Sequence, residues 1–303
     1  MLVNKINLNL AQGTIYNTNY NTKPTTIPNI KYNSEIDTVC FTSNLSKLKT
    51  LDSKFVAAVK KAAQQNDALQ IFKICGMKPQ LLKDNTISLA KFDKPGNGIT
   101  FRDFGINEQT LMENVSEIIG NANFEDLILS QMPKLKRIGG SLKLGKINMQ
   151  FPLLEEVTGN IQTPNNLGNT FYSMPALRKS GTINANNIRN LDNYEECTGY
   201  FNIATELLDR TFPNFKKTFG LWVRNQEWAC FSEKYKPLIG KTKFPALEEI
   251  GYAMRYDTGE GIEMLNLKQF NGNIVYDVSP TLPDWGILEF KGSITKKMPY
   301  NHC

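Results

Sequence analysis

Three pairs of adjacent acids, Glu155-Glu156, Glu195-Glu196 and Glu248-Glu249, are the residues that most readily suggest chemistry. Two carboxylates at a fixed separation can divide acid and base work between them, as in glycoside hydrolysis. Two copies share a phrase, "FPLLEEVTG" from Phe151 and "FPALEEIGY" from Phe244. Nothing beside them completes a catalytic set. The single histidine, His302, is next to last, which leaves no His-based triad and no multi-His metal site within the chain. Cys230 has no histidine near it for activation, and Cys197 falls at an interior repeat position, where a thiol is inert. No nucleotide-binding, zinc-protease, serine-hydrolase or EF-hand signature occurs, and "GNG" (Gly96 to Gly98) lacks the Lys-Ser/Thr of a phosphate loop. The expectation is no catalytic residue, no cofactor and no metal, hence no enzyme.

The acid pairs acquire another meaning from the elements that hold them. From Val115 onward an apolar residue, two polar residues, an apolar residue, any residue and then glycine recur, with the glycine one place early in two copies (Gly181, Gly251), followed by a short alternating strand. The copies start at Val115, Leu135, Leu154, Leu177, Tyr194, Phe215, Leu247, Leu267 and Ile287, mostly 17–23 residues apart with one gap of 32. A period near 20 residues predicts a solenoid of about nine coils. In order, the paired positions read Ser116-Glu117, Lys136-Arg137, Glu155-Glu156, Arg178-Lys179, Glu195-Glu196, Lys216-Lys217, Glu248-Glu249 and Lys268-Gln269. The sign alternates at every step. Equivalent positions of stacked coils lie about 4.8 Å apart, so alternation replaces repulsion by attraction. It also counts the 32-residue gap as one step, which makes the surplus near 225–243 an insertion and not a missed coil.

Within each coil, Met132, Phe151, Met174, Phe212 and Phe244 precede a proline and are expected to plug the core. Leu142, Leu144, Ile161, Phe201, Ile203, Ile274 and Ile294 should point inward, as should Trp222, and the glycine should provide a tight bend.

"MPKLKRIGGSLKL" (Met132 to Leu144) is the clearest copy, and this pattern resembles the leucine-rich-repeat superfamily in its receptor L-domain form. It is also similar to repeat proteins of gut bacteria that join a polar N-terminal segment to such coils. The resemblance covers about residues 100–295 and implies a repeat solenoid of parallel β, one strand per coil. The usual asparagine-ladder signature is absent, and a parallel β-helix is the alternative.

Upstream, residues 1–50 hold nine Asn and eight Thr and read as extended or disordered, with "DTVCFTS" as one short strand. Residues 51–106 read as a helical segment and connector. One amphipathic helix buries Phe55 and Val59 and is capped by Asp52 or Ser53. A second runs near Asp67 to Ile74, ends at Gly76 and is closed off by Pro79, and Asn107 caps a short third. Residues 107–303 form the solenoid.

Five scattered cysteines argue against a disulfide framework, and the N-terminus lacks a secretory signal, so the default compartment is cytoplasmic, with secretion by a non-classical route as the alternative. No apolar run is long enough to span a membrane. A net charge of +6, with basic residues only in short runs, argues against nucleic acid.

Two surfaces remain for binding. The outward strand face offers Asn121, Asn123, Ser141, Lys143, Asn160, Gln162, Tyr200, Asn202 and Asn273, and is polar and nearly uncharged. The insertion offers Trp228, Phe231 and Tyr235 as aromatic anchors. The functional expectation is a non-catalytic solenoid binding another protein through both. The alternative is a glycan-binding or surface-adhesion module, which Tyr or Trp stacked on the face would favour. A carbohydrate-active enzyme ranks below both.

Overall fold

In the computed structural model the described residues are 47–96, 98–164, 170–205, 210–225, 241–256, 261–276, 283–286 and 289–296. The N-terminal segment through residue 46, the insertion from 226 to 240 and Cys230 and His302 lie outside them. So do the expected strand "DTVCFTS" and the anchors Trp228, Phe231 and Tyr235.

The described residues open with a helical cap. Asp52 accepts from the backbone N–H of Lys54 and Phe55 and starts helix α1, Ser53–Gln64. Asp67 likewise starts α2, Ala68–Ile74, and Gly76, at φ 73°, turns the chain out of it. Asn107 caps α3, Glu108–Met112. Val59, Ala62, Ile71 and Phe72 form the buried side of this cap. A short hairpin then pairs Pro79–Leu81 antiparallel with Ile87–Leu89. Its second strand pairs in parallel with Val115–Ile118, so the cap supplies the first rung of the solenoid.

Three parallel ladders build the stack. The first contains the repeated corner, Ile118, Ile138, Val157, Ser180, Cys197, Thr218, Ile250, Phe270 and Phe290 in register. The second follows the glycine and begins with Ala122–Asn123 on Leu142–Lys143 on Ile161–Gln162. The third precedes the proline turns. It is in two separate sheets, one of Met149–Gln150, Tyr172–Ser173 and Ile188–Arg189, the other of Arg210–Thr211, Thr242–Lys243, Ile262–Met264 and Asp284–Trp285. One strand per coil is the expectation; three are observed. Among the described residues seven turns carry all three positions, with partial turns at both ends, so about nine coils is an approximate count.

The charged pairs stack as their signs require. Backbone N–H groups of Glu155, Arg178, Glu195, Lys216, Glu248 and Lys268 each donate to the equivalent residue one coil earlier. The second member of each pair is also in register: Arg137 beside Glu156, Lys179 beside Glu196, Lys217 beside Glu249. Ion pairs close across these rungs at 3.2, 2.9 and 2.9 Å. Lys217 pairs directly with Glu249, so the 32-residue gap is a single step.

The interior is continuous. Met132, Phe151, Met174, Phe212 and Phe244, the residues before the coil-opening prolines, are buried. Phe201 lies at the centre, within 4.6–6.1 Å (ring centroids) of Tyr194, Phe212, Phe215 and Phe244. Leu142, Leu144, Ile161, Phe201, Ile203 and Ile274 point inward as expected. Ile294 is in register with Ile274 but is not buried: it lies on the last described rung and is 45% exposed. Nor does the corner glycine act through a left-handed bend, since none of the corner glycines has positive φ. Its reason is proximity. A Cβ on Gly272 would lie 1.6 Å from the carbonyl oxygen of Tyr252 on the coil below.

Candidate binding face

The outward face of the second ladder contains the nine predicted positions, and the structure divides them by role. Just after the corner, each side chain caps the next coil. Asn121 Oδ1 accepts from Ser141 N (2.8 Å), and Ser141 Oγ accepts from Asn160 N (3.1 Å). Asn160 Oδ1 accepts from Thr182 N (2.9 Å), and Thr182 Oγ1 accepts from Tyr200 N (3.1 Å). A mixed Asn–Ser–Asn–Thr ladder thus satisfies backbone donors where the sequence carries no regular asparagine ladder. Asn273 has an equivalent place higher up and accepts from Ser293 Oγ at 3.0 Å.

One column further out, Asn123 donates to Asp93 and Lys143 pairs with Glu125 at 2.6 Å, while Gln162 is exposed.

At Tyr200 the row changes character. Strands Glu196–Thr205, Lys217–Asn225 and Glu249–Tyr256 are long, because the first and second ladders merge through a register shift at the corner. The ring of Tyr200 fills the space above Gly220, where a Cβ would lie 2.5 Å from two of its atoms. It meets Phe219 edge-on (5.7 Å, 89°), and Phe219 stacks on Tyr252 (5.0 Å, 8°). Tyr200, Phe219 and Tyr252 are 36%, 43% and 55% exposed. Three rings therefore stand in a row on three successive coils, open to solvent.

Beside them Trp222 corrects an expectation. Leu221 and Val223 are buried, so Trp222 faces outward by strand alternation. Its indole is held between guanidinium groups, with Arg224 Cζ 3.7 Å and Arg255 Cζ 4.6 Å from the ring centroid. Asn202 pairs with Trp222 across the rung, and Asn202 Oδ1 and Trp222 Nε1 are both buried without a hydrogen-bond partner.

Sequence reasoning missed Phe219 and Tyr252. The available signal was a bulky ring where other coils place small residues at the corner, such as Gly139, Thr158 and Thr198.

Five carboxylates of the paired positions, Glu156, Glu195, Glu196, Glu248 and Glu249, lie on the first ladder engaged with cations of neighbouring coils. No metal-holding group of three His, Cys, Asp or Glu occurs among the described residues. Cys197 is buried and donates to Gly181 O, and burial raises its thiol pKa. Burial likewise pushes Cys75 up to about 12, so neither forms a thiolate readily. Two clefts are found in the cap, one between α1, α2 and α3 lined by Ala63, Ile106 and Leu111, the other lined by Asn66, Asn85 and Asn114. No helix among the described residues is long and apolar enough to cross a membrane.

Searches with the sequence and the fold find no matching family model, no matching curated protein and no matching solved structure.

Proposed function

We propose that this protein is a non-catalytic binding solenoid, that its binding surface is the outward second-ladder face of the central coils, and that its ligand is a carbohydrate. One observation carries the reading: Tyr200, Phe219 and Tyr252 form an exposed aromatic row on the strand face, which continues toward the cap as the amides and hydroxyls of Thr182, Asn160, Ser141 and Asn121 and is bordered by Asn202, Trp222 and Arg255. Aromatic rings offer apolar surface to the C–H faces of sugars, and amides answer hydroxyls. A solenoid supplies such a surface because its side chains repeat at rung spacing. The resemblance of Met132–Leu144 to receptor L-domain repeats fits a binding role.

A protein partner is the second reading. Clustering of Trp222 with Arg224 and Arg255 favours it, since Trp, Tyr and Arg dominate interface hot spots.

A glycan array probed with the full chain and with a Tyr200→Ser/Phe219→Ser/Tyr252→Ser variant tests the proposal. The expected result is glycan binding by the wild type that the variant loses while its melting temperature holds. Glycan binding that survives in the variant removes the aromatic row from the account.

A further inference from the structure

The capping ladder and the aromatic row meet at Tyr200; beyond it the in-register positions are Gly220, Ala253 and Asn273, and Phe219 and Tyr252 stand one residue toward the corner from Gly220 and Ala253. Asn121, Ser141, Asn160 and Thr182 lead through four rungs to Tyr200, whose backbone N–H is the last donor in that series and whose ring is the first of the aromatics. Each capping side chain spends an oxygen lone pair on the neighbouring coil. That bond fixes the accepting oxygen and leaves the donor capacity of the side chain for a ligand: the amide NH2 of Asn121 and Asn160, the hydroxyl protons of Ser141 and Thr182. All four side chains are exposed or half-buried. The line they make, offset by one residue toward the corner beyond Tyr200, therefore presents donors at about 4.8 Å spacing, then three rings at 5.7 and 5.0 Å centroid separations. It contains no Asp, Glu, Lys or Arg at any of its seven positions.

On these grounds we infer that the line is a single track for an extended, uncharged polysaccharide chain laid along the solenoid axis. The inference rests on the carbohydrate reading and adds ligand length, charge and direction. Absence of cations in the line argues against phosphate or sulfate chains, which need charge-assisted donors. An extended peptide suits it less well. The ladder's backbone groups are bonded coil to coil, so the face gives mainly donors, and a peptide's own N–H groups would lose water without acceptors. A sugar hydroxyl both donates and accepts, and rotates to match.

Native affinity electrophoresis of the full chain in gels with mixed-linkage β-glucan, galactomannan, arabinoxylan or pullulan tests this, with polygalacturonate as the charged control. Calorimetry then follows oligosaccharides of increasing length from the retarding polymer. We expect retardation by a neutral polymer and affinity that rises with length. Tyr252→Ala should weaken binding by about tenfold. Asn160→Asp keeps the acceptor for Thr182 N and removes the amide donor, so it should weaken binding while the melting temperature stays unchanged. Length-independent binding that is sensitive to Tyr252→Ala but not to Asn160→Asp would overturn the track and leave the carbohydrate reading standing. Retardation by polygalacturonate alone would overturn the uncharged class. Retardation by none of the polymers would overturn the track, and an array without hits would overturn the broader reading independently.

Discussion

Glu156 is the sharpest test of the charge alternation. It sits in register between Arg137 on the coil below and Lys179 on the coil above, and its Oε2 is 3.2 Å from Arg137 Nε. Glu156→Gln removes one ion pair. Both partners are substantially exposed (33% and 56% of side-chain area), so the loss should be small, about 0.2–1 kcal/mol. Glu156→Lys does more, because it places three cations on consecutive rungs. At about 4.8 Å spacing each new repulsion is worth about 1 kcal/mol even at the dielectric constant of water. The Lys variant should therefore be about 2 kcal/mol less stable than the Gln variant and melt about 4 °C lower. Differential scanning fluorimetry at low salt and in 1 M NaCl measures both. At 1 M, screening within about 3 Å should close most of the gap between the variants. Equal melting of the two at low salt would refute the electrostatic argument and reduce the alternation to a marker of register.

Gly272→Ala forces a methyl group to within 1.6 Å of a backbone oxygen that the ladder holds in place, so the two coils must part. A loss of about 3 kcal/mol is expected in urea unfolding, and a loss below about 1 would mean the corner is not this tight. Tyr172 is buried, its hydroxyl donates to Gly145 O, and burial pushes its pKa up to about 12 from 10.0. Tyr194 is raised in the same direction by burial. A raised folded-state pKa means the stabilisation is complete below pH 10 and is lost as pH climbs toward 12. Stability measured by urea from pH 8 to 12 should fall above 10, less steeply in Tyr172→Phe; an identical slope would remove Tyr172 as a cause.

Much of the architecture was legible because it repeats. Leu135, Leu154 and Leu177 and their counterparts share one burial role, and the alternating pairs set the register on either side of the insertion. The second and third ladders were less legible. Pairs such as Met149–Gln150 or Tyr172–Ser173 are two-residue strands, too short for alternation to register. Trp222 was misplaced because a large apolar side chain reads as core, whereas two stacked arginines let it lie outside. Ile294 kept the inward pattern, but burial also needs a neighbouring coil. On the face, polarity was readable and role was not. Asn121, Ser141 and Asn160 look like free ligand groups in sequence, yet each has an oxygen committed to the next coil, a fact that depends on which backbone N–H stacks above it.

Hydrogen exchange with and without a retarding polysaccharide tests the central claim most directly. If the ligand lies on the second-ladder face, peptides covering 196–205, 217–225 and 249–256 should exchange more slowly in the complex, while those from α1, α2 and the third-ladder strands should be unchanged. Protection confined to residues 53–112 or to the third ladder would place the ligand elsewhere and contradict the account.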